Sequence, residues 1–274
     1  MITGSIVAYK NTSSQLKKSI QSFLNSEIDC EIKLYVINNA PNYCYDELVR
    51  DKRIEYITNT NNIGFGAAHN IALRMIHSIS QYHLILNPDI CFEPNVLNII
   101  YSCMENDKSI GMLIPKVKFM NGTMNYVCRL LPSPGDVFLR RFCPMKSILD
   151  KVNYRYELKL SGYDRKMHIP NISGCFMFLR TSNLDKIGYF DERFFLYFED
   201  VDLSRRMSLY SNNIYWPEVI IYHEGAQLSH KNNIAFIYHT ISAIKYFNKY
   251  GWIFDKERRR INKETLNQFM VSGK

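Results

Sequence analysis

Acidic residues gather at one point of the chain. In "GYFDERFFLYFEDVDLSRRM", residues 188–207, an apolar and aromatic run ends in Glu199, Asp200 and Asp202, then Arg205 and Arg206. Leu203, Met207 and Tyr210 recur at helical spacing, which predicts a helix from about Asp200 to Ser211. Acids in a first helical turn complement the positive end of the helix dipole. Asp202 also reaches Arg205 or Arg206 at helical spacing. A carboxylate held there is equally suited to take a proton from a hydroxyl. On this stretch alone, capping and acid–base chemistry are both open.

Three further places carry candidate chemistry. In "LILNPDI", Pro88 stops a strand and Asp89 stands just beyond it. A carboxylate there suits a hard divalent cation bridging phosphate oxygens, and the plain alternative is an Asn-Pro-Asp turn. In "TNTNNIGFGAAHN", Gly64 and Gly66 permit a tight turn and close approach of a ligand to the backbone. The helix start after them could face a phosphate or sugar. In "IIYHEGAQLS", His223 ends a strand before a glycine loop, as a metal ligand, an acid–base group or a structural histidine.

The elements that must position these residues alternate. "GSIVAY", "IKLYVIN", "RIEYIT", "YHLILN" and "IGMLIPKV" read as strands. "SSQLKKSIQSFLNS", "GFGAAHNIALRMIHSI" and "NVLNIIYSCME" read as helices between them. This alternation predicts a doubly wound, mainly parallel α/β sheet with helices on both faces. Such sheets bind ligands at the carboxyl ends of their strands. From about Phe119 to His168 the regularity fails, and prolines and basic residues predict loops with a short helix over the sheet. "IPNISGCFMFLR" and "NIYWPEVIIYHEG" read as later strands. "NNIAFIYHTISAIKYFNKYGW" reads as an amphipathic helix with Ile234, Ile237, Ile241, Ile244 and nearby Phe247 on its stripe, followed by the basic tail "DKERRRINKE".

Composition narrows the class. The chain has 274 residues, 46% of them hydrophobic, enough for a sizeable core. Seven scattered cysteines without a C-x-x-C pair predict free thiols in a reducing compartment rather than a disulfide framework. "MITGSIVAYK" lacks the charged and apolar regions of a signal peptide, and no apolar run is long enough to span a bilayer. The net charge of +8 suits phosphorylated substrates or an anionic membrane. With no zinc finger or RNA-binding motif, nucleic acid is not expected as a partner.

In order, "VAYK", "VINNA", "NNIGFGAAHN", "LILNPD", "ISGCFMFLR", "FDERFFLYFEDVDLSRRM" and "YHEGAQLS" resemble the inverting, GT-A-fold glycosyltransferases of family 2, particularly the bacterial rhamnosyltransferase-like branch of O-antigen and capsule synthesis. The resemblance covers about residues 3–230. It implies a GT-A domain over 1–230, with a nucleotide-sugar half at 1–118 and an acceptor and catalytic half at 119–230. Residues 231–274 would add the C-terminal helix and basic tail. The donor would lie on Ala8, Tyr9, Lys10, Asn38, Asn39, Asn62, Gly64, Phe65, Gly66, Asn70 and Asn87. Members usually carry Thr-Tyr-Asn where this chain has Ala8-Tyr9-Lys10, and Asp-Asn where it has Asn38-Asn39. Asn87 and Asp89 stand in the place of the Asp-x-Asp motif. Asp89 and His223 are the implied ligands of Mn²⁺ or Mg²⁺ on the donor diphosphate.

The resemblance also implies Asp200 as the general base of an inverting displacement, with Glu199 holding sugar or acceptor hydroxyls. The implied donor is dTDP-rhamnose, or otherwise a UDP-sugar giving galactosyl, glucosyl or galactofuranosyl transfer. The implied acceptor is a polyprenyl-pyrophosphate-linked oligosaccharide, whose diphosphate Arg129, Arg140, Arg141 and Lys146 could meet. The implied place is the cytoplasmic face of the bacterial membrane, peripherally attached. A reading of another class is a non-catalytic glycan-binding or scaffold homologue, motivated by Ala8, Asn38 and Asn87.

Overall fold

The computed structural model describes residues 1–225 and 233–270. The end of the "YHEGAQLS" motif beyond Gly225, and the boundary expected at 230/231, lie outside them.

The chain opens with β1 (Ile2–Ala8), α1 (Ser13–Leu24), β2 (Ile32–Asn38), β3 (Ile54–Thr58), α2 (Phe65–Met75), β4 (Tyr82–Leu86), β5 (Ile90–Phe92), α3 (Val96–Asn106) and β6 (Ile110–Phe119). Thr12 caps α1, its hydroxyl accepting from the Gln15 N–H at 3.3 Å. Leu16, Ile20 and Phe23 recur on its inner face and are buried. Every residue of β1 and β4 is buried, as expected of strands covered on both faces. Ser5 of β1 lies 2.7 Å from His69 Nδ1 on α2 and 2.8 Å from His83 Nε2 on β4, tying that helix to the sheet through a polar contact inside the core. Burial depresses the basicity of both imidazoles, so neither carries charge at neutral pH.

Among the described residues the sheet runs β3-β2-β1-β4-β8-β6-β9-β5, where β8 is Phe176–Arg180 and β9 is Asn212–His223. β7 (Met167–His168) pairs with β9. The β3-β2-β1-β4 half is parallel, as is β6 with β9. β8 runs antiparallel between β4 and β6, and β5 antiparallel on β9. Strand order switches between β1 and β4, so a crevice opens at their carboxyl ends. Asn87-Pro88-Asp89 follows β4 at that switch point.

Two expectations change here. Residues 169–180 do not form one strand: β8 begins at Phe176, and Gly174 lies in the turn before it. The irregular region holds two helices, α4 (Pro134–Phe142) and α5 (Lys146–Tyr156). A capping box at Ser133 and Asp136, with Pro134 in the first turn, starts α4.

After β8 come α6 (Leu184–Ile187), α7 (Glu199–Met207), α8 (Asn233–Tyr250) and α9 (Lys256–Met270). The stretch read as a basic tail is therefore mostly helical. Arg258, Ile261 and Thr265 of α9 are buried. A second apolar cluster joins Phe198 and Val201 to Ala243, Tyr246 and Phe247 of α8 and to Ile261 of α9. Arg205 of α7 pairs with Asp255 at 2.6 Å, both side chains only 2% exposed, and stacks 3.9 Å from the Tyr250 ring. The C-terminal helices are thus locked to the helix that carries the acids.

Candidate active site

The acids open α7 as the helical spacing requires. Glu199 and Asp202 are buried in its first turn. The approach to them is unusual: Tyr197 and Phe198 both have left-handed backbones, at φ 69° and 67°. Each costs about 1–3 kcal/mol and needs surrounding contacts to hold it. α8 supplies those contacts. Phe198 meets the rings of His239, Tyr246 and Phe247, and the Ser242 hydroxyl donates to the Leu196 carbonyl at 2.8 Å.

Each acid has its own environment. The Asp200 carboxylate accepts from the Gly174 N–H at 3.0 Å and from the Val201 N–H at 2.8 Å. Burial raises its pKa, and these two amides and the Arg129 charge pull it back. It is fixed in place and keeps unused acceptor capacity. Burial, and then the Asp200 charge, raise the Glu199 pKa well above its ordinary value, which favours the protonated carboxyl. Its Oε2 is buried without a hydrogen-bond partner. Asp202 is structural: it pairs with Arg206 at 2.8 Å and accepts from Tyr250 at 2.7 Å. The Arg206 pairing is one of the two anticipated from spacing; Arg205 goes instead to Asp255.

The glycine turn packs closely against this loop. Gly64 has φ +93°, and a Cβ there would lie 2.4 Å from the Phe195 carbonyl oxygen. The Phe65 N–H, at the start of α2, donates to that same carbonyl at 3.0 Å. A Cβ on Gly66 would lie 2.9 Å from Phe190 Cβ and 3.4 Å from Glu199 Cβ. The close approach these glycines permit is therefore made by the backbone leading to the acids. Asn70 has the same role: its amide donates to the Phe190 carbonyl and to Glu192, and its oxygen accepts from the Phe190 N–H.

The asparagines expected on the nucleotide are also turned inward. Asn38 donates to the Tyr43 carbonyl and the Tyr56 hydroxyl and accepts from the Ala40 N–H. Asn39 bonds Asn62, Asn59 and the Gly64 carbonyl, and Asn62 caps the Gly64 N–H. Ala8 is fully buried, its carbonyl accepting from the Asn39 N–H at 2.8 Å. By contrast Tyr9 is 46% exposed, and Lys10 beside it adopts φ 58° with its ammonium 5.3 Å from the Tyr9 ring centroid. Tyr9 and Lys10 therefore present side chains at this edge, while the asparagines build its frame.

Asp89 and His223 do meet. β5 pairs with the end of β9, and His223 Nε2 lies 3.2 Å from Asp89 Oδ2, the side chains 17% and 14% exposed. Asn125 lies 3.2 Å from the other ring nitrogen. Two cis ligands of an octahedral ion at about 2.1 Å stand about 3 Å apart, so the pair is spaced to share a cation. Among the described residues no group of three or more His, Cys, Asp or Glu is arranged to hold a metal. One carboxylate and one imidazole leave positions that diphosphate oxygens and water would have to fill, which suits an ion carried with its substrate.

One turn connects the two sets. The Gly174 N–H holds Asp200, and the carbonyl of the next residue, Cys175, accepts from the Asn87 N–H at 2.9 Å. Asp200 and Glu199 also wall a cavity of about 510 Å³ between α4, α5, α7 and α8. Tyr197, Asn171 and His239 line it as well. Tyr197 belongs to the run before the acids, but no motif in the sequence marks Asn171 and His239, which only the fold brings to it. Of the four basic residues expected near an acceptor, Arg129, Arg140 and Arg141 line this cavity and Lys146 does not.

Comparison with known proteins agrees with this architecture. The family model described as glycosyl transferase family 2 matches residues 5–188. A Mycobacterium tuberculosis N-acetylglucosaminyl-diphospho-decaprenol L-rhamnosyltransferase is 25% identical over 179 residues, 60% of this chain and 57% of its own. The Escherichia coli rhamnosyltransferase WbbL is 24% identical over 261 residues, 90% of this chain and 93% of its own. The chain spans about half the length of two of its curated relatives, 45% and 57%. Among solved structures, a mannosyltransferase from Pyrobaculum calidifontis in complex with GDP-Man and Mn²⁺ aligns with a TM-score of 0.58 at 13% identity, covering 100% of this chain and 76% of that one. The fold is GT-A, and the chain belongs to glycosyl transferase family 2.

Proposed function

We propose that this family 2 member is an inverting hexosyltransferase that moves L-rhamnose from dTDP-rhamnose to a polyprenyl-pyrophosphate-linked oligosaccharide. The observation that carries the reading is the shared turn at Gly174-Cys175. It sets the Asp200 carboxylate beside the strand ends that carry Asn87, Asp89 and His223. The rhamnosyltransferase names of two relatives favour rhamnose over a UDP-linked hexose.

Asp200 takes the proton of the acceptor hydroxyl as its oxygen attacks the anomeric carbon, and the nucleoside diphosphate leaves from the opposite face. Glu199, protonated, donates a hydrogen bond to a sugar or acceptor oxygen. Mn²⁺ or Mg²⁺ held by Asp89 and His223 would neutralise charge on the leaving diphosphate. Lys10 adds a cation at the same edge.

The surface supports peripheral membrane contact. Among the described residues no helix is long and apolar enough to cross a bilayer. Yet Ile234, Ile237, Ile241 and Ile244 of α8 are between 42% and 60% exposed, while Ala243, Tyr246 and Phe247 are buried. The isoleucine stripe is therefore not the face that packs on the protein. Phe138 and Phe142 of α4 and Ile253 and Phe254 after α8 add to the exposed apolar surface, with Arg141, Lys146 and Arg259 close in sequence. Such a surface suits the interface of an anionic bilayer, where a lipid-linked acceptor resides.

Stereochemistry tests the reaction. From dTDP-β-L-rhamnose, proton NMR of the product should show an α-linked rhamnoside. A β-linked product would exclude single displacement by Asp200.

A further inference from the structure

The cavity beside the acids has an unlike lining. Glu199 and Asp200 of α7 share it with Arg129, Arg140 and Arg141. The arginines differ in how they are held. Arg140 is anchored, donating to Asn153 at 2.8 Å and pairing with Glu157 at 2.9 Å while stacked 4.5 Å from the Tyr156 ring centroid. Arg141 lies 4.5 Å from the ring centroid of Phe236 on α8. Arg129 has no carboxylate at ion-pair distance among the described residues, and its Nε is buried without a hydrogen-bond partner. Asn171, 2% exposed, lines the same cavity with its Oδ1 unpartnered. His239 completes the basic set, but burial and the three arginine charges lower its pKa to about 4, so it stays neutral.

The Asp200 and Glu157 charges act on the Arg129 guanidinium only from beyond ion-pair distance, so its donors are left for an anion that enters the cavity. On the proposed reading, the donor diphosphate goes to the strand ends at Asp89 and His223, which do not line this cavity. We infer that the cavity is a second diphosphate subsite, in which Arg129 and Arg141 grip the phosphates of the acceptor while Asp200 faces its hydroxyl. The inference rests on the transferase reading for its orientation, but the anion site stands on the arginines alone. The volume suits one sugar with its diphosphate. The rim favours a lipid carrier: Phe236 meets Phe142 of α4, ring centroids 6.2 Å apart, where the exposed apolar surface begins. A chain attached to the diphosphate could leave there directly into a bilayer.

Calorimetric titration without divalent metal tests the subsite, using inorganic pyrophosphate and farnesyl diphosphate as probes. Both should bind the intact protein. Arg129→Gln and Arg141→Gln should each weaken binding at least tenfold, and Asp89→Ala should leave it unchanged. Tighter farnesyl diphosphate assigns the site to a lipid diphosphate; equal affinities assign it to free diphosphate. Affinity unchanged in both arginine variants, or lost in Asp89→Ala, overturns the inference. Arg141 is exposed, so its variant remains a fair test if Arg129→Gln fails to fold. Because no transfer is measured, arginine-dependent binding in a protein that moves no sugar would sink the transferase reading alone.

Discussion

At the scale of residues, the acid pair divides its work by environment. Asp200 is held by two backbone amides, and Glu199 is buried with an unpartnered oxygen. The Glu199 pKa is raised in the fold, so the unfolded chain releases that proton at lower pH than the folded one does. Its contribution to stability is therefore fully present below the ordinary carboxylate pKa and is lost as pH rises toward the folded value. Glu199→Gln removes that loss. Thermal melts should show the variant equal to or more stable than the parent at pH 8, with the difference vanishing near pH 4.5, the ordinary glutamate value. A variant markedly less stable at pH 8 would mean that Glu199 is ionised in the fold. The order of the motifs made Glu199, Asp200, Asp89 and His223 legible in the sequence. The inward bonding of Asn38, Asn39 and Asn70 was not legible, because a linear motif does not tell a side chain bonded into the frame from one facing the crevice.

At the scale of elements, close approach decides where the acids stand. Gly64 lets the start of α2 meet the Phe195 carbonyl. Gly64→Ala should cost about 1–3 kcal/mol, from positive φ and the clash together, and should lower transfer more than that loss of folded protein explains. Urea unfolding and turnover per folded molecule would read both. Normal turnover would show that the acid loop does not depend on this turn. The Arg205–Asp255 pair fixes the C-terminal helices to α7. Asp255→Asn leaves the buried Arg205 guanidinium only its longer, 3.3 Å contact with the partly exposed Glu257 and should cost about 3–5 kcal/mol, seen as a shift of the urea midpoint; a shift under about 1 kcal/mol would mean that Glu257 takes over the pairing. Strands and early helices were readable from alternation and helical spacing. In the irregular region only α4 carries a start signal, the Ser133-Pro134-Gly135-Asp136 cap; α5 follows Met145 with no capping side chain, and the α9 helix was hidden by its charge.

For the whole molecule, one helix links a proposed membrane face to the acids. α8 turns its isoleucine stripe outward and its Tyr246 and Phe247 toward Phe198. Periodicity revealed that stripe but not its direction, since α8 is apolar on both sides and packing alone chose the inner one. Flotation with vesicles containing phosphatidylglycerol should carry the protein, and Ile237→Glu with Ile241→Glu should release it without altering its melt. Equal flotation of the double variant would remove α8 from the membrane contact.

The central claim is tested most directly by nucleoside diphosphate release. The purified protein would be given Mn²⁺ and a panel of nucleotide sugars, with and without a lipid-linked acceptor extract. Acceptor-dependent release from one donor, dTDP-rhamnose first, is predicted. Asp200→Asn should lower it by about 10²–10⁴-fold, the range of a lost general base, and Asp89→Ala should abolish it. Release undiminished in Asp200→Asn would contradict the assignment of the base. A folded protein that neither binds nor turns over any donor would contradict the transferase reading itself.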